Sequence, residues 1–225
     1  MTTSTTAPPT PAIDEPTAAR SEIYGLLADA LEFPTRDFHV KVEARVFRDE
    51  VEALLGALPY EVNAASAIAG LADAGDYVPF QGDYIRLFDV GAVRPPCPLY
   101  DGEWGGSRKH AMEEVLRFYR FFGMKLDAGT HDLPDHVTIE LEFMKVLTFI
   151  EGLASTRGGD TLPVFRAERD FLQRHPARWW PMLERKLAGH EAPPFYASLV
   201  AIVGGVLATD LAYVKAAIVS APPAA

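Results

Sequence analysis

The sequence predicts an all-α protein, a single compact helical domain of on the order of nine helices interrupted by two long loops. Apolar residues recur at helical spacing along nearly the whole chain. No stretch shows the strict alternation of a half-buried strand. No repeat at a fixed period points to a solenoid. With 225 residues, 48% hydrophobic and 23% charged, the chain has enough apolar material for one sizeable domain with an ordinary core.

The elements follow in order. Residues 1–18 are rich in Thr, Pro and Ala, without Lys or Arg until Arg20 and without an apolar run. This is neither a signal nor a transit peptide and is expected to be a disordered tail, with the helical domain over 19–220. Ile23, Leu26, Leu27, Ala30 and Leu31 form the first stripe, ended by Pro34. Phe38, Val42, Val46, Val51, Leu54 and Leu55 predict one long second helix ending near Pro59. Residues 64–72 predict a short helix of small residues, and 79–88 another with Tyr84 and Phe88 at i and i+4. A break spans 89–107, rich in Gly and Pro. Loops of that length inside a domain tend to be functional. Helical spacing resumes over 108–123, with Gly123 as C-cap. A second break, 125–133, leads into a helix ending near Gly158-Gly159. Two more helices cover 164–173 and 177–187. In the second, Trp179 and Trp180 cannot share one face, so one is expected to be exposed or covered by a loop. The last helix covers 195–219, its apolar run 197–208 cut by Thr209 and Asp210 and too short to span a bilayer.

Composition excludes several function classes. Lys plus Arg number 21 against 31 Asp plus Glu, a formal charge of −10. That balance repels phosphate backbones and anionic membranes, so neither nucleic acid nor membrane is an expected partner. It favours a basic peptide. Cys97 is the one cysteine, so no intrachain disulfide forms and a cytoplasmic location is expected. It is expected to be an inert, partly exposed loop thiol. No phosphate loop, dinucleotide fingerprint, nucleophile elbow, Glu-x-x-His pair or His-Glu-x-x-His zinc motif occurs. His131 and His136 lie five apart without a third ligand spaced to help. No cofactor, metal or catalytic group is implied.

The stretch from His131 to Met144 carries the most information. A loop ending in Pro134-Asp135-His136 runs into an apolar helix bearing Glu140 and Glu142. Pro134 suits a first helical turn, and Asp132 or Asp135 can cap the amides there. Glu140 sits on the stripe of Val137, Leu141 and Met144, where a carboxylate needs a partner or a rim position. Tyr100, Asp101, Glu103 and Trp104 put acids and aromatics on the first, mobile loop, a composition suited to a basic, partly apolar peptide. Tyr84, Leu87 and Phe88 are core residues by pattern, or the back of a groove beside that loop.

Pro134-Asp135-His136-x-x-x-Glu140-Leu141-Glu142-Phe143-Met144 resembles the hinge motif of the TorD/DmsD/NarJ family of cytoplasmic chaperones that mature molybdenum oxidoreductases. Tyr84-Ile85-Arg86-Leu87-Phe88 resembles that family's aromatic-x-x-Leu-Phe segment. Pro95-Pro96-Cys97-Pro98-Leu99-Tyr100-Asp101-Gly102-Glu103 resembles its Pro-rich loop, with Asp101-Gly102 where Glu-Ser is common. Phe195-Tyr196 resembles the opening of its last helix. The order is the family's over about residues 20–215. The variant loop resembles the branch serving type II enzymes of the dimethyl sulfoxide reductase family. The resemblance implies a non-catalytic chaperone. Its partners would be an apo molybdopterin-containing catalytic subunit and that subunit's twin-arginine signal peptide. It would assist cofactor insertion and delay export. It falls residue by residue on Asp132, Asp135, His136 and Glu140; together with Pro134, Tyr84, Phe88, Tyr100, Asp101, Glu103 and Trp104 these are the expected client-binding residues. Two other readings stand beside it: a small helical enzyme using His136 and Glu140 as an acid–base pair, and a helical adaptor for an unrelated partner.

Overall fold

The computed structural model describes residues 13–89, 94–126 and 132–221, and every regular element among them is helical. Helix α1 (Glu15–Ala30) begins earlier than its apolar stripe suggests. Asp14 accepts the Thr17 amide at 3.0 Å and so satisfies a donor that would otherwise be orphaned. Ile13 lies so close to α7 (Val137–Thr156) that a Cβ on Gly152 would meet it at 2.5 Å. The domain boundary expected at residue 18 is therefore corrected to the neighbourhood of Ile13. Residues 1–12 lie outside the described residues.

The expected second helix is two helices, α2 (Arg36–Glu43) and α3 (Val46–Ala57). Arg45 between them has φ 63°, in the left-handed region that ends a helical run. Val42, Phe47 and Val51 are all buried, so the apolar pattern runs on across a break in the backbone. The short α4 (Ala65–Ile68) continues into a 3-10 turn, Ala69–Ala72. Then come α5 (Tyr77–Leu87), α6 (Arg108–Phe121), α7, α8 (Leu162–Arg174), α9 (Pro176–Leu187) and α10 (Pro194–Ser220). Gly123 (φ 75°) and Gly158 (φ 65°) lie just past the ends of α6 and α7, as their sequence positions predict.

Helix α1 packs along α7, α7 meets α8, and α10 lies across α8, α9 and the 3-10 turn at 69–72. Helix α10 has 27 residues and is long and apolar enough by composition to cross a membrane. This corrects the expectation of a run cut short at Thr209. Asp210 does not interrupt the helix because its carboxylate meets Arg20 inside the protein, and half of the helix's most apolar window is buried. These are the properties of a core helix.

Arg20 is fully buried and joins four helices. It bonds Asp210 of α10 at 2.8 Å, Glu168 of α8 at 2.7 Å and Glu151 of α7. The Tyr24 hydroxyl donates to Asp210 at 2.7 Å. Burial alone would lower the guanidinium's pKa, but the three carboxylates outweigh it. One cation against three acids leaves the cluster acid-rich. Burial raises Glu168 to about 8, against the pull of Arg20.

Trp179 and Trp180 point to different sides of α9, as helical geometry requires, yet both are fully buried. Trp180 donates to the Val200 carbonyl of α10 at 3.0 Å. Trp179 is covered by the loop, through Trp104 stacked 6.2 Å away and 11° from parallel.

Candidate functional site

The segment before α7 is held by its neighbours as well as by its own turn, in which the His136 amide donates to the Leu133 carbonyl at 2.9 Å. The Asp135 carbonyl accepts the Asp101 amide at 2.9 Å, and its carboxylate accepts the Gly102 amide at 3.1 Å. The Val137 amide donates to the Leu99 carbonyl at 2.8 Å, so Tyr100 and His136 pair as a short antiparallel bridge. The N-cap of α7 is His136, whose Nδ1 accepts the Thr138 amide at 3.4 Å and lies 2.7 Å from the Thr138 hydroxyl. This corrects the expectation that Asp132 or Asp135 caps the helix: Asp135 serves the partner loop, and the Asp132 carboxylate takes the Tyr100 hydroxyl at 2.8 Å. Pro134 precedes the helix instead of opening it, and its carbonyl accepts the Tyr119 hydroxyl at 3.0 Å. Burial lowers the His136 pKa to about 4, so its ring is neutral near pH 7. His131 lies outside the described residues.

The described part of the Pro-rich loop is anchored, which corrects the expectation of a mobile one. Asp101 is fully buried in a 3-10 turn, Asp101–Glu103. It accepts from His175 Nδ1 at 2.9 Å and from Arg178. Trp104 donates to the Pro98 carbonyl at 2.8 Å. Glu103 stays at the surface, paired with Arg94 and, at 3.3 Å, with Arg108. Cys97 is buried rather than partly exposed, and burial pushes its thiol up to about 11.

Glu140 is fully buried behind this loop. Its Oε2 accepts the Trp179 indole N–H at 3.1 Å, while Oε1 has no partner. Burial, reinforced by the neighbouring Asp101, raises its pKa well above the ordinary carboxylate value. His136 and Glu140 form no pair: each bonds in its own direction, to Thr138 and to Trp179. Asp101, Glu140 and His175 have donor atoms within 4.8 Å of one another, the spacing of a metal triad. Both Asp101 oxygens are already occupied by His175 and Arg178. Asp101 thus clamps His175 and Arg178, while Glu140 bonds only Trp179, and Glu140 Oε1 and His175 Nε2 have no hydrogen-bond partner among the described residues.

The site residues named from sequence divide into two groups. Asp101, Trp104, Pro134, Asp135 and Glu140 lock loop to body, and Glu103 stands apart from both groups, paired with Arg94 and Arg108 at the surface. Tyr84, Phe88, Tyr100, Asp132 and His136 meet around one small pocket of about 140 Å³, together with Glu32, Phe33 and Asp89. Tyr84 and Phe88 are thus both core and pocket wall. The Tyr84 hydroxyl donates to the Leu31 carbonyl at 2.8 Å, and its ring meets Phe88 at 5.6 Å. Tyr100 lies edge-on to His136 at 4.7 Å. Burial raises Glu32, opposed by a hydrogen bond from Thr138. Glu32, Asp89 and Asp132 have no ion-pair partner among the described residues. The pocket is therefore small, acidic and walled by aromatic rings.

Residues 55–185 match the nitrate reductase delta subunit family. The chain belongs to that family. Members similar to it bear out the resemblance read in the hinge and loop motifs, because they are assembly chaperones. A perchlorate reductase assembly chaperone from Dechloromonas aromatica is 30% identical over 81% of this chain and 84% of its own length. A dimethyl sulfide dehydrogenase assembly chaperone from Rhodovulum sulfidophilum is 33% identical over 89% and 82%. For a selenate reductase assembly chaperone from Thauera selenatis, 38% identical, the alignment spans 48% of this chain and 56% of the relative. A crystal structure described as a redox enzyme maturation protein, from Archaeoglobus fulgidus, shares the fold with a TM-score of 0.52 at 19% identity, over 85% of this chain and 93% of that one.

Within this delta-subunit fold, sequence reasoning missed Glu32, Phe33 and Asp89, which complete the pocket, and His175 and Arg178, which hold Asp101. Glu32-Phe33 just before Pro34, and Asp89 just after the aromatic segment, are acids at the ends of apolar stripes. That is the one local signal they offer.

Proposed function

We propose that the protein is a non-catalytic cytoplasmic maturation chaperone for the molybdopterin-containing catalytic subunit of a dimethyl sulfoxide reductase family enzyme. In this reading the acidic, aromatic pocket receives an arginine of the client's twin-arginine leader. The observation that carries it is the set of three carboxylates, Glu32, Asp89 and Asp132, without an ion-pair partner among the described residues, around rings of Phe33, Tyr84 and Tyr100. A guanidinium is planar, always charged and able both to fork onto carboxylates and to lie on aromatic faces. A pocket of about 140 Å³ suits one such head and part of its stem. Binding the unfinished client holds it back from export by mass action, and release follows when the finished client loses affinity. The neutral His136 and the loop bonded to it position Tyr100 and Asp132 for this contact.

The test is a titration of the whole chain with a leader peptide carrying paired arginines, beside the same peptide with paired lysines. Asp132→Asn with Glu32→Gln is expected to weaken the arginine peptide at least about tenfold, a loss of about 1.4 kcal/mol, with an unchanged thermal melt. Equal affinity of wild type and variant would remove the pocket from the mechanism.

A further inference from the structure

A second surface on this molecule selects the opposite charge. Between α6 and α8 lies an apolar pocket of about 480 Å³. Phe118, Phe121, Phe122 and Val164 supply its apolar lining. Phe121 is 83% exposed, the most exposed aromatic ring among the described residues, and lies against Phe122 at 5.0 Å. A single exposed apolar residue is ordinary, but an exposed ring over a concave apolar floor marks an interaction site. The rim carries Arg117 and Arg166, both exposed and neither ion-paired among the described residues. Asp170 also borders the pocket, but its carboxylate is taken by Arg169 at 2.8 Å. On a chain of formal charge −10, two guanidinium groups without an ion pair among the described residues, beside the exposed Phe121, form a local exception to the overall field.

We infer that the α6–α8 groove docks an acidic amphipathic segment of a partner protein, an aromatic or aliphatic side chain seated among Phe118, Phe121 and Phe122 and flanking carboxylates on Arg117 and Arg166. Charge complementarity decides the occupant. A basic segment would be drawn to the rest of the surface but repelled at this rim, and an uncharged apolar one would leave both guanidinium groups unused. The inference is independent of the arginine pocket, since none of its residues lines that pocket.

Two synthetic peptides of about 16 residues serve as probes, with Leu and Phe at i, i+3, i+4 and i+7 and either Glu or Lys at the remaining positions. Anisotropy titrations of the full chain at low salt compare wild type, Phe121→Ser and Arg117→Glu with Arg166→Glu. All three substituted side chains are exposed, so the variants are expected to fold, and circular dichroism checks this. The Glu peptide is expected to bind wild type at least about tenfold more tightly than the Lys peptide, to weaken in 0.5 M salt where the Debye length falls to a few ångströms, and to lose at least about tenfold on Phe121→Ser. The double charge reversal is expected to invert the preference. Tighter binding of the Lys peptide to wild type would overturn the inference, because bulk charge would then dominate. So would Glu-peptide binding indifferent to all three substitutions. Light scattering that shows a dimer abolished by Phe121→Ser and undisturbed by the peptide would assign the groove to a second copy of this chain instead.

Discussion

Glu140→Gln is expected to stabilise the protein near neutral pH, even though it alters the central residue of the hinge motif. Glu140 is fully buried, holds one hydrogen bond from Trp179 at 3.1 Å and has no partner on Oε1. Its folded pKa is raised well above the ordinary 4.5, chiefly by burial and next by Asp101. The unfolded chain ionises it above pH 4.5 while the folded protein holds the proton to higher pH, so folding within that window takes up a proton. A raised carboxylate contributes fully at pH values below 4.5, and its contribution falls as pH rises toward the folded pKa. Each pH unit between 4.5 and the folded pKa is worth about 1.4 kcal/mol, so the penalty grows with pH across that window. Glutamine is neutral in both states. Its carbonyl keeps the Trp179 bond, and its amide replaces an Oε1 that has no partner. Urea unfolding of wild type and Glu140→Gln at pH 5, 6, 7 and 8 reads the difference directly. The stabilisation should be under about 1 kcal/mol at pH 5 and grow by about 1.4 kcal/mol per pH unit up to the folded pKa. A loss of stability independent of pH would refute the reasoning, since it would mean that Glu140 is ionised in the folded protein and neutralised by a cation.

Other outcomes follow from the same structure. Arg20→Met leaves Glu151, Glu168 and Asp210 buried without their cation and is expected to cost about 3–5 kcal/mol, read as a lowered urea midpoint; a change under about 1 kcal/mol would contradict the four-helix role of Arg20. His136 has a folded pKa lowered to about 4, so its contribution is present above about pH 6.5 and is lost as pH falls toward 4; His136→Asn, which keeps a capping acceptor, should flatten that acid limb in melts taken between pH 4 and 7. Removing residues 1–12 should leave the thermal midpoint unchanged, whereas Asp14→Ala should cost about 1 kcal/mol through the lost cap on Thr17.

The helical class, the element order and the family were legible in the chain because each rests on local pattern. Spacing marked the stripes of α1, α5, α6 and α7, glycines marked the ends of α6 and α7, and the Pro134-Asp135-His136 motif carried the family. Composition likewise set the formal charge of −10. Periodicity failed where the backbone changed direction without changing the burial pattern, as at Arg45, and where an acid inside an apolar helix had a distant cation, as at Asp210. The tertiary structure alone decided what each polar residue faces. Asp135 and Asp132 are three residues apart, yet one is buried against the Gly102 amide and the other borders an open acidic pocket. Glu32, Asp89 and Asp132 come from three separate segments, and Arg20 meets acids 131, 148 and 190 residues away. Contacts of that range depend on how helices cross and on which charges burial forces together, and neither is written in the spacing of any one segment.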